Sequence, residues 1–156
     1  MPSRGGVRAI AALLALAAGG ACALPTPTAR STEDYGKKAA HTADEVRSAV
    51  ETTVVALRAE ADGKVPGTTL DVLVTEAETD ASGAASTFRS IDPPSSSSED
   101  VDLRDRTIEL VDGAVDALEQ VRLDVRFGNT DQAAGRADDL EHVADDLDRF
   151  AEEVGQ

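Results

Sequence analysis

Apolar residues recur every three or four positions through most of the chain after residue 31, and this spacing constrains the fold most strongly. On an α-helix, residues three and four apart share a face, so each run of this kind forms one apolar stripe. Glycine and proline, strong helix-ending residues, interrupt the pattern. The pattern therefore predicts four helices, at about residues 32–62, 68–91, 98–127 and 130–154.

Each predicted helix must bury its stripe against another helix. The connections are short, and short connections favour antiparallel neighbours. We therefore expect an all-α fold, an up-down-up-down antiparallel four-helix bundle over residues 32–156. The third stripe is the broadest, which predicts that the third helix is the most buried. Ser31 or Thr32 is the predicted cap of the first helix, and Asn129 or Thr130 that of the fourth.

Composition excludes several classes of function. The chain has 156 residues, too few for two ordinary domains, and a formal net charge of −15. This acidity argues against nucleic acid as a partner, because phosphate contacts need basic residues. Aromatic residues make up only 3% of the chain, which argues against stacking platforms for bases or sugars. One cysteine cannot form a disulfide framework or a multi-cysteine zinc site.

The N-terminal segment has the three parts of a secretory signal peptide. Arg4 and Arg8 are positively charged, residues 9–18 are apolar, and small residues follow at 19–21. The apolar run is about half the roughly 20 residues that a membrane-spanning helix needs. We therefore expect residues 1–21 to be a signal peptide, whose removal takes the formal net charge from −15 to −17.

Residues 18–22, Ala-Gly-Gly-Ala-Cys, resemble the lipobox of bacterial lipoproteins. The resemblance implies that Cys22 receives a diacylglycerol and becomes the new N-terminus after cleavage. Gly19 departs from the pattern, which usually has Leu three positions before the cysteine. Ala21-Cys22-Ala23 is also an A-x-A site, and cleavage after Ala23 would give a secreted protein without cysteine. If Cys22 is lipidated, residues 22–31 carry the lipid and a Pro- and Thr-rich tether that links the membrane to the folded domain.

The fourth predicted helix carries the strongest candidate for metal binding, His142. Asp138, Asp139, Asp145 and Asp146 lie three or four residues from it, within reach on a helix. On a helical wheel, however, His142 lies nearly opposite the apolar stripe, so these side chains should face solvent. We therefore assign no metal and no cofactor, with a divalent-cation surface as an alternative.

The same helix is strongly acidic. Eight acidic residues and a single lysine or arginine, Arg149, lie between Asp138 and Glu153. Such a face usually confers solubility, but it also suits docking of a basic protein of the cell envelope.

Patterns of known catalytic sites are absent from the sequence. It contains no G-x-S-x-G, no phosphate-binding loop and no H-E-x-x-H. We assign no catalytic residue. Ala77, Ala81 and Ala84 on the second helix leave space for an apolar pocket, which keeps small-ligand binding as an alternative.

Three phrases of the remaining chain resemble a group of alanine- and aspartate-rich exported proteins of high-GC actinobacteria. They are residues 35–43, 76–83 and 144–148. The resemblance implies location and fold and carries no activity. The sequence thus predicts a non-enzymatic, lipid-anchored protein of the cell envelope that serves as an interaction or structural module. Secretion without lipid is the alternative location.

Overall fold

A computed structural model describes residues 29–156, and this part of the chain is all-α, with no β-strand. Its helices are α1 (Thr32–Ala61), α2 (Gly67–Arg89), α3 (Ser98–Arg126), α4 (Thr130–Gly135) and α5 (Ala137–Val154). The first three agree with the predicted bounds to within two residues. The predicted signal peptide, Cys22 and tether residues 22–28 lie outside the described residues.

Two of the longer helices begin at serine caps. The Ser31 hydroxyl accepts a hydrogen bond from the Asp34 amide at 3.1 Å, which confirms Ser31 as the cap of α1. The Ser97 hydroxyl accepts one from the Asp100 amide at 3.2 Å. Each serine thus satisfies one of the amides that a helix start leaves unpaired.

The predicted fourth helix is divided into α4 and α5, which corrects the continuous helix over 130–154. The division falls at Gly135 and Arg136, where the Arg136 amide donates to the Ala133 carbonyl in a tighter turn. The Arg136 side chain donates to the Asp124 carboxylate at 2.6 Å. The break therefore combines a local glycine, which disfavours helix, with a contact to α3 that the local sequence pattern does not contain.

Helix α1, and not α3, is the most buried, so the expectation from stripe breadth was wrong. α1 contacts α2, α3 and α5, whereas α3 and α5 make little contact with each other. Tyr35, Val46 and Val50 of α1 are fully enclosed. The tyrosine ring stacks on Phe88 of α2, with 5.4 Å between ring centroids. The core therefore lies around α1.

Gly36 sits where α1 passes closest to the end of α5. A β-carbon at Gly36 would lie 2.6 Å from the backbone oxygen of Val154. This separation is shorter than van der Waals contact, so the close approach requires glycine.

None of the helices in residues 29–156 is both long and apolar enough to cross a membrane.

Replacing helical glycines with alanine should have opposite effects at two sites. Gly83→Ala should raise the free energy of unfolding by up to about 1 kcal/mol, because alanine favours helix and its β-carbon meets open space. Gly36→Ala should lower it by about 1–3 kcal/mol, since the added methyl forces α1 and α5 apart. Urea unfolding followed by circular dichroism measures both changes. A stabilised Gly36→Ala variant would contradict the close approach.

Candidate functional site

The acidic face of α5 points outward, as the helical wheel predicted. His142, Asp138, Asp139, Asp145 and Asp146 are all exposed. Arg149 pairs with the Asp146 carboxylate, and its Nε donates to the Asp145 carbonyl at 3.3 Å. No group of three or more His, Cys, Asp or Glu side chains in residues 29–156 is arranged to hold a metal ion.

Arginines from α1 neutralise one side of this acidic face. Arg58 lies 2.7 Å from the Glu141 carboxylate and 3.6 Å from that of Asp138. Arg47 lies 3.0 Å from the Asp148 carboxylate. These pairs connect residues about 80 to 100 positions apart in the chain, so the bases of the fourth segment alone did not predict them.

The pKa values reflect this pairing. The hydrogen bond from Arg58 lowers the pKa of Glu141, and the same contact raises the pKa of Arg58. Both groups are solvent-exposed, so the pair contributes little to the stability of the fold.

Helix α3 carries a second acidic surface, which was not predicted from the sequence. Asp102, Asp105, Glu109 and Asp116 recur at spacings of three, four and seven on its exposed side. None of these four makes an ion pair with any residue of the described chain. We call them the α3 acidic ridge. Their helical spacing was visible in the sequence, but their lack of partners was not.

An open groove lies between α3 and α5, next to the α3 acidic ridge. Its apolar surface comes from Leu110 and Ala114 of α3 and from Val143 and Phe150 of α5. Arg106 spans one end, donating to both carboxylate oxygens of Glu153 at 2.9 and 3.0 Å. The groove has a volume of about 570 Å³, within the range of ligand sites in proteins.

The alanines of α2 that were considered for a small-ligand pocket are partly in the core. Ala77 and Ala81 are buried. Ala84 is only partly buried and lines a second surface groove, of about 650 Å³, with His41 and Glu45 of α1. The groove between α3 and α5 is thus separate from the one beside these alanines.

A buried polar cluster fixes the loop between α2 and α3. Asp100 is 1% exposed and accepts a hydrogen bond from the Ser95 hydroxyl at 2.5 Å. Arg104 donates to the Arg89 carbonyl at the end of α2, at 3.0 Å, and to the Ile91 carbonyl in the loop, at 2.7 Å. The Tyr35 hydroxyl is buried nearby, and desolvation raises the pKa of that phenol against the opposing effect of Arg104.

Comparisons with protein-family models, with curated proteins and with solved structures give no match to this chain.

The cluster at Asp100 should make stability depend on pH in acid. The Ser95 hydrogen bond is the main cause that lowers the pKa of Asp100 in the folded protein. A lowered folded pKa contributes stability above the unfolded value of about 3.9, and this contribution is lost as the pH falls through the folded pKa. Ser95→Ala should therefore reduce the loss of stability below about pH 4.

Thermal melts between neutral pH and pH 2 measure this slope. Ser96→Ala is the matched control, because Ser96 is the next residue of the same loop and its side chain is exposed. Parallel slopes for wild type and Ser95→Ala would contradict the role of the hydroxyl.

Proposed function

We propose that the helical segments form an up-down-up-down antiparallel bundle, in which α4 and α5 together make the fourth member. The support is the order of contacts between helices. Arg89, at the end of α2, pairs with Asp112 of α3, whereas the earlier Glu78 pairs with the later Arg122. Contacts that move forward along one helix thus move backward along the other, as they do between antiparallel helices.

The same order relates α5 to its neighbours. Gly36 near the start of α1 lies against Val154 at the end of α5, and Arg58 near the end of α1 pairs with Glu141. Arg106 in the first half of α3 pairs with Glu153 late in α5. In the proposed bundle, the start of α1, the α2–α3 loop and the C-terminus therefore share one end.

We propose further that the protein is attached to the cell envelope through lipid on Cys22. The support is the sequence alone: a signal-like segment followed by small residues and the single cysteine. The Ala29 amide donates to the Asp92 carbonyl at 3.3 Å, next to the α2–α3 loop. The tether would then leave the bundle at that end, with the α1–α2 turn farthest from the membrane.

The proposed activity of the anchored bundle is non-enzymatic protein binding, with a basic partner at the acidic fourth segment. One observation carries this proposal: most exposed residues of α5 are acidic, and the α3 acidic ridge has no cationic partner in residues 29–156. Like charges on one helix face destabilise it, so a basic partner would relieve that repulsion.

Exchanging two charges tests the antiparallel order of α2 and α3. Glu78 and Arg122 are both largely buried, with side chains 19% and 18% exposed. Glu78→Arg should lower stability, because it places two guanidinium groups together. Adding Arg122→Glu should restore most of that loss, as measured by urea unfolding in a double-mutant cycle. Independent, additive effects of the two changes would contradict the pairing.

Replacing Cys22 tests the anchor. Wild type should remain with the membrane fraction and incorporate a clickable fatty acid, whereas Cys22→Ala should appear in the medium without label. A diacylglycerol supplies two chains, which anchor stably where a single chain binds marginally. Thr28→Ala, in the tether, is the control and should behave as wild type. Wild type free in the medium with Leu24 as its N-terminus would show secretion instead.

A further inference from the structure

The groove between α3 and α5 exists because α5 packs chiefly on α1. Little contact joins α3 to α5, apart from two ion pairs. Arg106 with Glu153 lies at one end of the groove, and Arg136 with Asp124 lies beyond its other end, at the α4–α5 turn. Between them, Leu110 and Val143 remain only partly buried.

The wall of the groove has room for added side chains. Gly113 of α3 lines it, and a β-carbon built there meets no atom within 4 Å. The lining residues of α3 run from Arg106 to Ala114, a rise of about 12 Å or slightly more than two helical turns. The groove is therefore elongated and open along its length, a shape that suits a helix.

Charge on the rim indicates the chemistry of an occupant. Both arginines of the rim are already engaged, Arg106 by Glu153 and Arg149 by Asp146. Glu109 is the rim carboxylate that makes no ion pair within residues 29–156. Asp105 and Asp116 continue the acidic ridge on either side of it. The unneutralised charge beside the apolar floor is thus negative.

We propose that this groove binds an amphipathic helix of a partner protein, with an apolar row in the groove and lysine or arginine beside it. The proposal rests on the proposed function and gives the partner's chemistry. Leu110 and Val143 would contact the apolar row, while Glu109 and its neighbours would pair with the basic residues. Phe150 is 7% exposed and lies under the Arg106 guanidinium, 5.5 Å from its ring centroid, so it forms the floor of one end. A second copy of this chain suits the groove poorly, because its formal net charge of −15 would oppose the same rim.

A synthetic peptide pair tests the proposal. The probe is a fluorescein-labelled helix of about 18 residues, five turns, with leucines on one face and lysines elsewhere. The control peptide has the same composition with its leucines spread around the helix. The protein is the full chain carrying Cys22→Ala, so that lipid and detergent are absent. Fluorescence anisotropy should show the amphipathic peptide binding at least tenfold more tightly, about 1.4 kcal/mol.

Two variants locate the peptide. Gly113→Leu fills the groove and should weaken binding at least tenfold, whereas Gly83→Leu on α2 should change it less than twofold. Glu109→Lys should weaken binding severalfold more than Glu76→Lys, an equal charge change on the exposed side of α2. Circular dichroism checks folding, and Glu109→Lys, on the surface, keeps the test decisive if Gly113→Leu fails to fold.

Four results would overturn the proposal. Equal affinity for the two peptides would show that charge alone attracts the probe. Unchanged affinity of both groove variants would show that the peptide binds elsewhere. A dimer in sedimentation that Gly113→Leu dissociates would assign the groove to a second copy. An apolar small molecule that copurifies and is not displaced by the peptide would make it a ligand site.

The experiments distinguish failure of the proposed lipid anchor from failure of the proposed helix-binding groove. A membrane-bound wild type whose Cys22→Ala form binds neither peptide contradicts only the groove. A naturally secreted protein that binds the amphipathic peptide contradicts only the anchor.

Discussion

The packing of α1 against its neighbours is the constraint on which the rest of the structure depends. Its buried face is built largely from small residues such as Gly36, Ala39 and Ala43, which let helices approach closely. Close approach improves dispersion contacts, but each alanine buries less apolar area than a leucine would. A chain of net charge −15 must hold together against its own repulsion with this modest apolar core.

Arginines at the contacts between helices reduce this electrostatic repulsion, because each pairs with an acidic residue of a neighbouring helix. Arg47 and Arg58 of α1 pair with acids of α5, and Arg122 of α3 pairs with Glu78 of α2. Arginine suits this role because its long apolar stem covers the interface while its head reaches a carboxylate. The acids of α5 that face α1 thus belong to the fold. Only those away from α1, with the α3 acidic ridge, are left for a partner.

Sequence periodicity predicted the helices well because the signals that start and end them are local. Ser31 and Ser97 act on amides three residues away, and the glycines and prolines of the turns act on their own dihedral angles. At the break, Gly135 is a local signal that was passed over, whereas the contact of the Arg136 side chain with Asp124 lies on another helix and was not predictable in this way. The burial of α1 was missed for the same reason: a stripe's breadth does not tell how many helices will pack on it.

The outward acidic face of α5 followed from the helical wheel, but the groove beside it did not. A wheel places Leu110 and Val143 at the margins of their stripes without telling whether those margins meet. In the structure these margins do not pack closely, because α5 packs chiefly on α1. The Arg136 turn, which is bonded to Asp124 of α3, fixes the position at which α5 begins.

The open groove also implies a compromise between stability and binding. Larger side chains along it would bury more apolar surface and draw α3 and α5 together, and Gly113 is the position where space for one already exists. A groove filled from within, however, would have no room for a helix from outside. Open apolar surface beside unpaired carboxylates lowers the stability of the free protein, and binding a basic amphipathic helix would recover part of that stability. Glycine at position 113 therefore keeps the groove open for the helix that we propose binds there.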